Sequence, residues 1–128
     1  MHHSKMPDAS KLLRRKQFEA NEKERRVVLL STMISDFDKM IVELDRQIAA
    51  EEDRTRIKDT GHPAYSTFAT AAAKRRQNLL STVAHTRSML DVASRELHEL
   101  RLQLRDLENN QSRLAPASST PDAISALR

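Results

Sequence analysis

The stretch that decides the fold runs from Val27 to Ile48, VVLLSTMISDFDKMIVELDRQI. Its apolar residues fall at Val27, Leu30, Ile34, Phe37, Ile41, Leu44 and Ile48, so the spacing alternates three and four. That is an unbroken heptad, with a at 27, 34, 41 and 48 and d at 30, 37 and 44. Backwards in the same register, Leu13 and Ala20 also sit at a, whereas Lys16 and Lys23 fall at d. The stripe therefore weakens towards the N-terminus.

A second stripe follows in the other half of the chain. Leu79, Val83, Thr86, Leu90, Ala93, Leu97, Leu100, Leu104 and Leu107 keep the same alternation, and Leu114 continues it one heptad later. Ala69, Ala72 and Arg76 precede it in register, which makes Arg76 the one charged core position of this stripe. Between the stripes stands Asp59-Thr60-Gly61-His62-Pro63. Gly61 is suited to the left-handed conformation that ends a helix, and Pro63 disfavours helix at His62. Ser66 or Thr67 can then cap a second helix through its side-chain oxygen.

The expected architecture is all-α: a long antiparallel two-helix coiled coil, or helical hairpin, over residues 8–114. Helix 1 is placed at about 8–58, the turn at 59–66 and helix 2 at about 67–114. Each helix would be on the order of 70 Å long at 1.5 Å per residue. Residues 1–7 and the Pro/Ser-rich tail 115–128 are expected to be disordered. Pairing residues whose numbers sum to about 127 lets a face d throughout. That register sets Leu44 on Val83, Phe37 on Leu90, Glu51 on Arg76, Asp38 near Arg87 and Glu24 near Arg101.

Composition agrees with a stripe rather than a ball. The 128 residues include one glycine, four prolines, no cysteine and no tryptophan; 3% are aromatic and 31% charged. A globular core of this size usually draws on aromatics, and here few exist. Without cysteine there is neither a disulfide nor a thiolate metal site. No apolar run approaches the roughly 18 residues of a membrane span. The formal net charge of +4 is modest and the signs alternate, so nucleic acid is not an expected partner. One glycine rules out a phosphate-cradling glycine loop, and no nucleophile elbow or helical zinc motif appears. The expectation is a protein that is not an enzyme and takes no cofactor or metal.

Two features remain as candidate binding sites. Basic residues cluster at Lys11, Arg14, Arg15 and Lys16 and again at Lys74, Arg75 and Arg76. Tyr65 and Phe68 place two of the four aromatics beside the turn. They can either plug the end of the hairpin or offer an apolar spot to a partner.

The chain resembles the flagellar export protein FliJ family over roughly 11–113. The resemblance is carried by Arg14-Arg15-Lys16-Gln17-Phe18 leading into Glu22-Lys23, by Gln47-Ile48-Ala49-Ala50-Glu51-Glu52, and above all by His62-Pro63-Ala64-Tyr65-Ser66-Thr67-Phe68-Ala69. It implies a cytoplasmic coiled-coil stalk of the flagellar type III protein export apparatus, at the cytoplasmic face of the inner membrane. Such a stalk links the hexameric export ATPase to the cytoplasmic domain of the export gate and escorts export chaperones. The family's gate contact follows Phe-x-x-x-Leu-x-x-Ala-x-x-x-His. Phe68 matches, Ala72 is smaller than the leucine, and Arg75 and Leu79 depart. The resemblance thus implies Tyr65, Phe68 and Ala72 on the gate side, and Lys11, Arg14, Arg15, Lys16, Lys23, Arg25 and Arg26 on the ATPase side. The alternative is a generic coiled-coil adaptor or scaffold that dimerises into a helical bundle. Met33, Met40 and Met89, all at g, would widen its apolar surface.

Overall fold

The computed structural model describes residues 5–114. The chain is an all-α hairpin of two long helices, α1 (Lys5–Thr55) and α2 (Thr67–Leu114), joined by an 11-residue turn. The helix α1 starts three residues before the expected position 8. Its first turn carries Pro7, where a missing N–H costs nothing, and Asp8, whose charge suits a helix N-terminus. The expected tail 115–128 and residues 1–4 lie outside the described residues.

The end of α1 corrects the sequence reading. The helix stops at Thr55 rather than 58, and the left-handed residue is Arg56, at φ 63°; Gly61 does not have positive φ. The Arg56 N–H still donates to the Glu52 carbonyl at 2.8 Å, and the Ile57 N–H turns back onto Thr55 Oγ1 at 3.3 Å. The glycine serves a local turn instead. Asp59 accepts the Gly61 N–H on its side chain at 3.0 Å and the His62 N–H on its carbonyl at 3.0 Å. His62 then accepts the Ala64 N–H on Nδ1 at 2.9 Å and the Tyr65 N–H on its carbonyl at 3.0 Å. Each bond spans two or three residues, so the turn is held by the Asp59 and His62 side chains together with two backbone bonds, and not by a left-handed glycine. Ser66 caps α2, its Oγ accepting the Ala69 N–H at 3.1 Å.

The contacts divide the chain into two units, Val27–Val92 and Met1–Arg26 with Ala93–Arg128. In the first, Leu30, Ile34, Ile41, Leu44, Ala69, Ala72, Val83 and Thr86 are buried. Val83 packs with Ile34 and Ile41, and the partly buried Phe37, Leu79, Leu80 and Leu90 close around them. Val27 and Ile48 are half-buried. Thr86 is the buried polar core position; its hydroxyl is satisfied by the Thr82 carbonyl at 2.7 Å. Near the turn the core shrinks to Ala69 and Ala72, small enough to let the two helix backbones approach.

Cross-helix partners in this unit run Glu51 to Ser66, Asp45 to Arg76 and Asp38 to Arg87, so α1 numbers fall as α2 numbers rise. The helices are antiparallel, as expected, but the register is not the expected one. Glu51 does not meet Arg76. It accepts the Ser66 hydroxyl at 2.6 Å and pairs with Arg54 at 2.8 Å, while Arg76 pairs with Asp45. Val83 packs with both Ile34 and Ile41, which sets it level with Phe37 between them, so the paired numbers sum to about 120, one heptad from the sequence expectation. This register sets Ile41 level with Leu79 and Phe37 level with Val83, in keeping with the observed cluster. The Asp38–Arg87 ion pair, 3.5 Å, was expected and is found. Helical side chains lean towards their own N-terminus, so antiparallel partners meet from Cα atoms a few residues past level. A slip of one heptad sets a against d again, so the heptad pattern alone does not distinguish the two registers.

The second unit has a thinner core. Ala20, Ala93 and Leu97 are buried, and Leu13, Leu100, Leu104 and Leu107 are half-buried. Lys23, at a d position, sends its ammonium to Glu96 at 2.7 Å, which holds that carboxyl below its usual range. The expected Glu24–Arg101 pair is present at 3.6 Å. Gln103 keeps a buried Oε1 without a partner, a further cost to this unit.

A residue with a Cβ pays for left-handed backbone where glycine does not. Replacing Arg56→Gly should therefore stabilise the hairpin by about 0.5–1 kcal/mol in urea denaturation followed by circular dichroism. Gly61→Ala should be within about 0.5 kcal/mol of wild type, because a Cβ there meets only Asp59 Oδ1 at an ordinary 3.5 Å. The reverse ranking would contradict the turn described here.

Candidate functional site

The turn-side candidates separate into a structural part and an exposed part. The Tyr65 hydroxyl donates to Glu52 Oε2 at 2.6 Å, and the ring is half-buried. A carboxylate accepting that proton holds it on, so the Tyr65 hydroxyl is pushed above its usual range. Beside it, Glu51 takes the Arg54 guanidinium and the Ser66 hydroxyl, which lower its carboxyl to about 2. Tyr65 and Ser66 thus fasten the start of α2 onto the last turn of α1. Of the two sequence readings, the plug describes Tyr65.

Phe68 behaves differently. It lies in the first turn of α2, one residue before the fully buried Ala69, and points outward with 53% of its surface exposed. Ala72 does not join it: at 7% exposure it is spent on the helix contact, which removes it from the candidate partner surface. Leu79 is likewise packed in the core, whereas Arg75 is exposed. The structure therefore leaves Phe68 as the apolar member of the turn-side site.

The basic candidates also divide. Lys11, Arg14 and Arg15 are exposed. Lys16 lies 3.7 Å from Glu19, Lys23 is engaged by Glu96, and Arg25 by Glu22. Arg26 is exposed but holds an interaction of its own. The residue missed on reading the sequence as a site is Phe18. It follows Arg14 by four and Lys11 by seven, so all three share one face, and it stands 63% exposed. Its heptad position, f, was the available signal: an aromatic on the outward side of a coiled coil has nothing in the core to do. Phe18 with Lys11, Arg14 and Arg15 makes a cationic face with an apolar centre, suited to an acidic protein surface.

No group of three or more His, Asp or Glu able to hold a metal occurs among the described residues. The grooves that line the helix pair are open. One runs past Ser35, Asp38 and Arg87, the other past Met40, Gln47 and Leu79.

The lowered Glu51 carboxyl has a consequence for stability. Its folded value lies below the ordinary 4.5, so its contribution is complete above about pH 4.5 and is lost as the pH falls towards 2. Thermal melts should lose stability across that window, and Glu51→Gln should flatten the loss while lowering the neutral-pH melting point. An unchanged acid profile would show that the carboxylate does not hold the turn. The chain matches no family model, no curated protein and no solved structure.

Proposed function

We propose that this chain is a coupling stalk of the flagellar type III protein export apparatus, linking the export ATPase hexamer to the cytoplasmic domain of the export gate and escorting export chaperones. The observation that supports this most is the pairing of an antiparallel helical hairpin with an exposed phenylalanine in the first turn of α2. The turn is already fastened through Tyr65 and Ser66, which leaves Phe68 available to a partner, and aromatics are the residue type favoured at binding hot spots. The gate domain is the partner assigned to Phe68. The cationic face of Lys11, Arg14, Arg15 and Phe18 is assigned to the ATPase. Lys16, Lys23, Arg25 and Arg26, already engaged by acids or other groups, would take part only by exchanging partners.

In this reading the chain performs no chemistry of its own and takes no cofactor. No helix among the described residues is long and apolar enough to cross a membrane, so its place at the cytoplasmic face of the inner membrane would come through its partners. The alternative, a coiled-coil scaffold that associates into a helical bundle, draws support from Leu29, Met40 and Val92, which are exposed.

Titration of the purified chain into export ATPase, and separately into the gate's cytoplasmic domain, tests the proposal. Phe68→Ala should keep helicity and weaken gate binding at least tenfold, about 1.4 kcal/mol. Arg14→Glu with Arg15→Glu should weaken ATPase binding by a similar factor and leave the gate untouched. No binding of either partner at micromolar concentration rejects the export reading.

A further inference from the structure

Lys16 and Lys23 occupy successive d positions of α1 in the second unit, where Val27–Val92 has Leu30, Phe37 and Leu44. Each lysine side chain is 29% exposed, so both stems lie along the helix contact. Their ammonium groups end differently. Lys23 crosses to Glu96 of α2 at 2.7 Å, whereas Lys16 stays on its own helix, 3.7 Å from Glu19. Across from them α2 repeats at the same interval. Gln103 stands seven residues beyond Glu96, as Lys16 stands seven before Lys23, so both pairs of numbers sum to 119. In an antiparallel pair those two steps cancel, and Gln103 takes the place opposite Lys16 that Glu96 takes opposite Lys23. Gln103 is also the residue whose Oε1 is buried without a hydrogen-bond partner.

We propose that Lys23–Glu96 and Lys16–Gln103 are two rungs of one latch across the second unit, the second rung left open, so that the two arms of this unit separate from each other while the helices of Val27–Val92 stay paired. The inference is independent of the export reading. The rung is open for an electrostatic reason. Lys16 has a choice between a neutral amide oxygen and the carboxylate of Glu19, and a charged acceptor makes the stronger bond. The amide oxygen is then buried and unpaired, which favours any state in which water reaches it. Few apolar contacts oppose that opening, since Ala20, Ala93 and Leu97 are the buried hydrophobic residues of the unit. Separating the arms hydrates Gln103 and uncovers the stripe of Leu97, Leu100 and Leu104.

Hydrogen exchange of the full chain, read by mass spectrometry of its peptides, tests the latch. Residues 10–26 and 93–112 should exchange roughly a hundredfold faster than 30–50 and 69–90, and the two arms should share one rate. Gln103→Glu gives the second rung the carboxylate of the first. It should slow exchange in both arms by about threefold or more, against the repulsion of Glu99 and Asp106 on the neighbouring turns, and leave 30–50 unchanged. In a Lys16→Met background the same change should speed exchange instead, because the new acid then has no lysine to meet. Glu96→Gln, which weakens the closed rung, should speed both arms by about threefold or more. Equal protection in the two units overturns the proposal. So does a smooth rise in exchange towards the helix ends, which is fraying without a latch. A Gln103→Glu effect that is absent, or of the same sign with and without Lys16, overturns it as well.

Discussion

Everything else in the hairpin depends on one joint, the pair of carboxylates Glu51 and Glu52 receiving the hydroxyls of Ser66 and Tyr65, each at 2.6 Å. A heptad stripe is nearly indifferent to sliding by seven residues, because a and d positions recur and leucine fits opposite leucine, valine or isoleucine. Two hydrogen bonds of 2.6 Å between particular, non-repeating side chains are not indifferent. They place the start of α2 level with the last turn of α1, and the rest of the pairing follows. Ser66 is used twice, accepting the Ala69 N–H as a cap and donating to Glu51, so helix initiation and register are decided by one side chain. Arg54 completes the joint by holding Glu51 from its own helix.

The joint also explains how the turn is built. An 11-residue connection is longer than most helix–helix turns and needs internal order to be a defined spacer. Asp59 and His62 supply it by closing two successive local turns. Arg56 takes the unfavourable left-handed backbone at the exit of α1. The cost is small and local, and the two hydrogen bonds across the joint offset it. With the register set, the separation of functions among the aromatics follows: Tyr65 is consumed by the joint, while Phe68, three residues on, faces solvent.

The fold class was legible because heptad spacing is a strong and redundant signal: each of Leu30, Ile34, Ile41, Leu44, Val83, Ala93 and Leu97 was assigned to the core from spacing alone and is buried. Register was not legible, because the spacing repeats. Charge pairs did not resolve it either, since Asp38 reaches Arg87 from Cα atoms that are not level. The turn was half legible. Its position and the Ser66 cap could be read from residue types, but the left-handed residue could not, because glycine's permissiveness is a capacity and Arg56 was forced by where the joint ends α1. Of the candidate binding residues, exposure removed Ala72 and added Phe18, both decided by which face of a helix the partner helix covers.

Cysteine trapping tests the joint most directly, since the native chain has no cysteine to interfere. Glu51→Cys is combined with Ser66→Cys in one variant and with Arg76→Cys in another. Ser66 and Arg76 stand ten residues apart on the same strand of chain, about 15 Å along a helix, so one cysteine at 51 cannot reach both. Mild oxidation should close the disulfide between 51 and 66 and leave 51 and 76 reduced. Rapid closure of 51 onto 76, with 66 left free, would restore the register expected from the heptads and contradict the account of the joint.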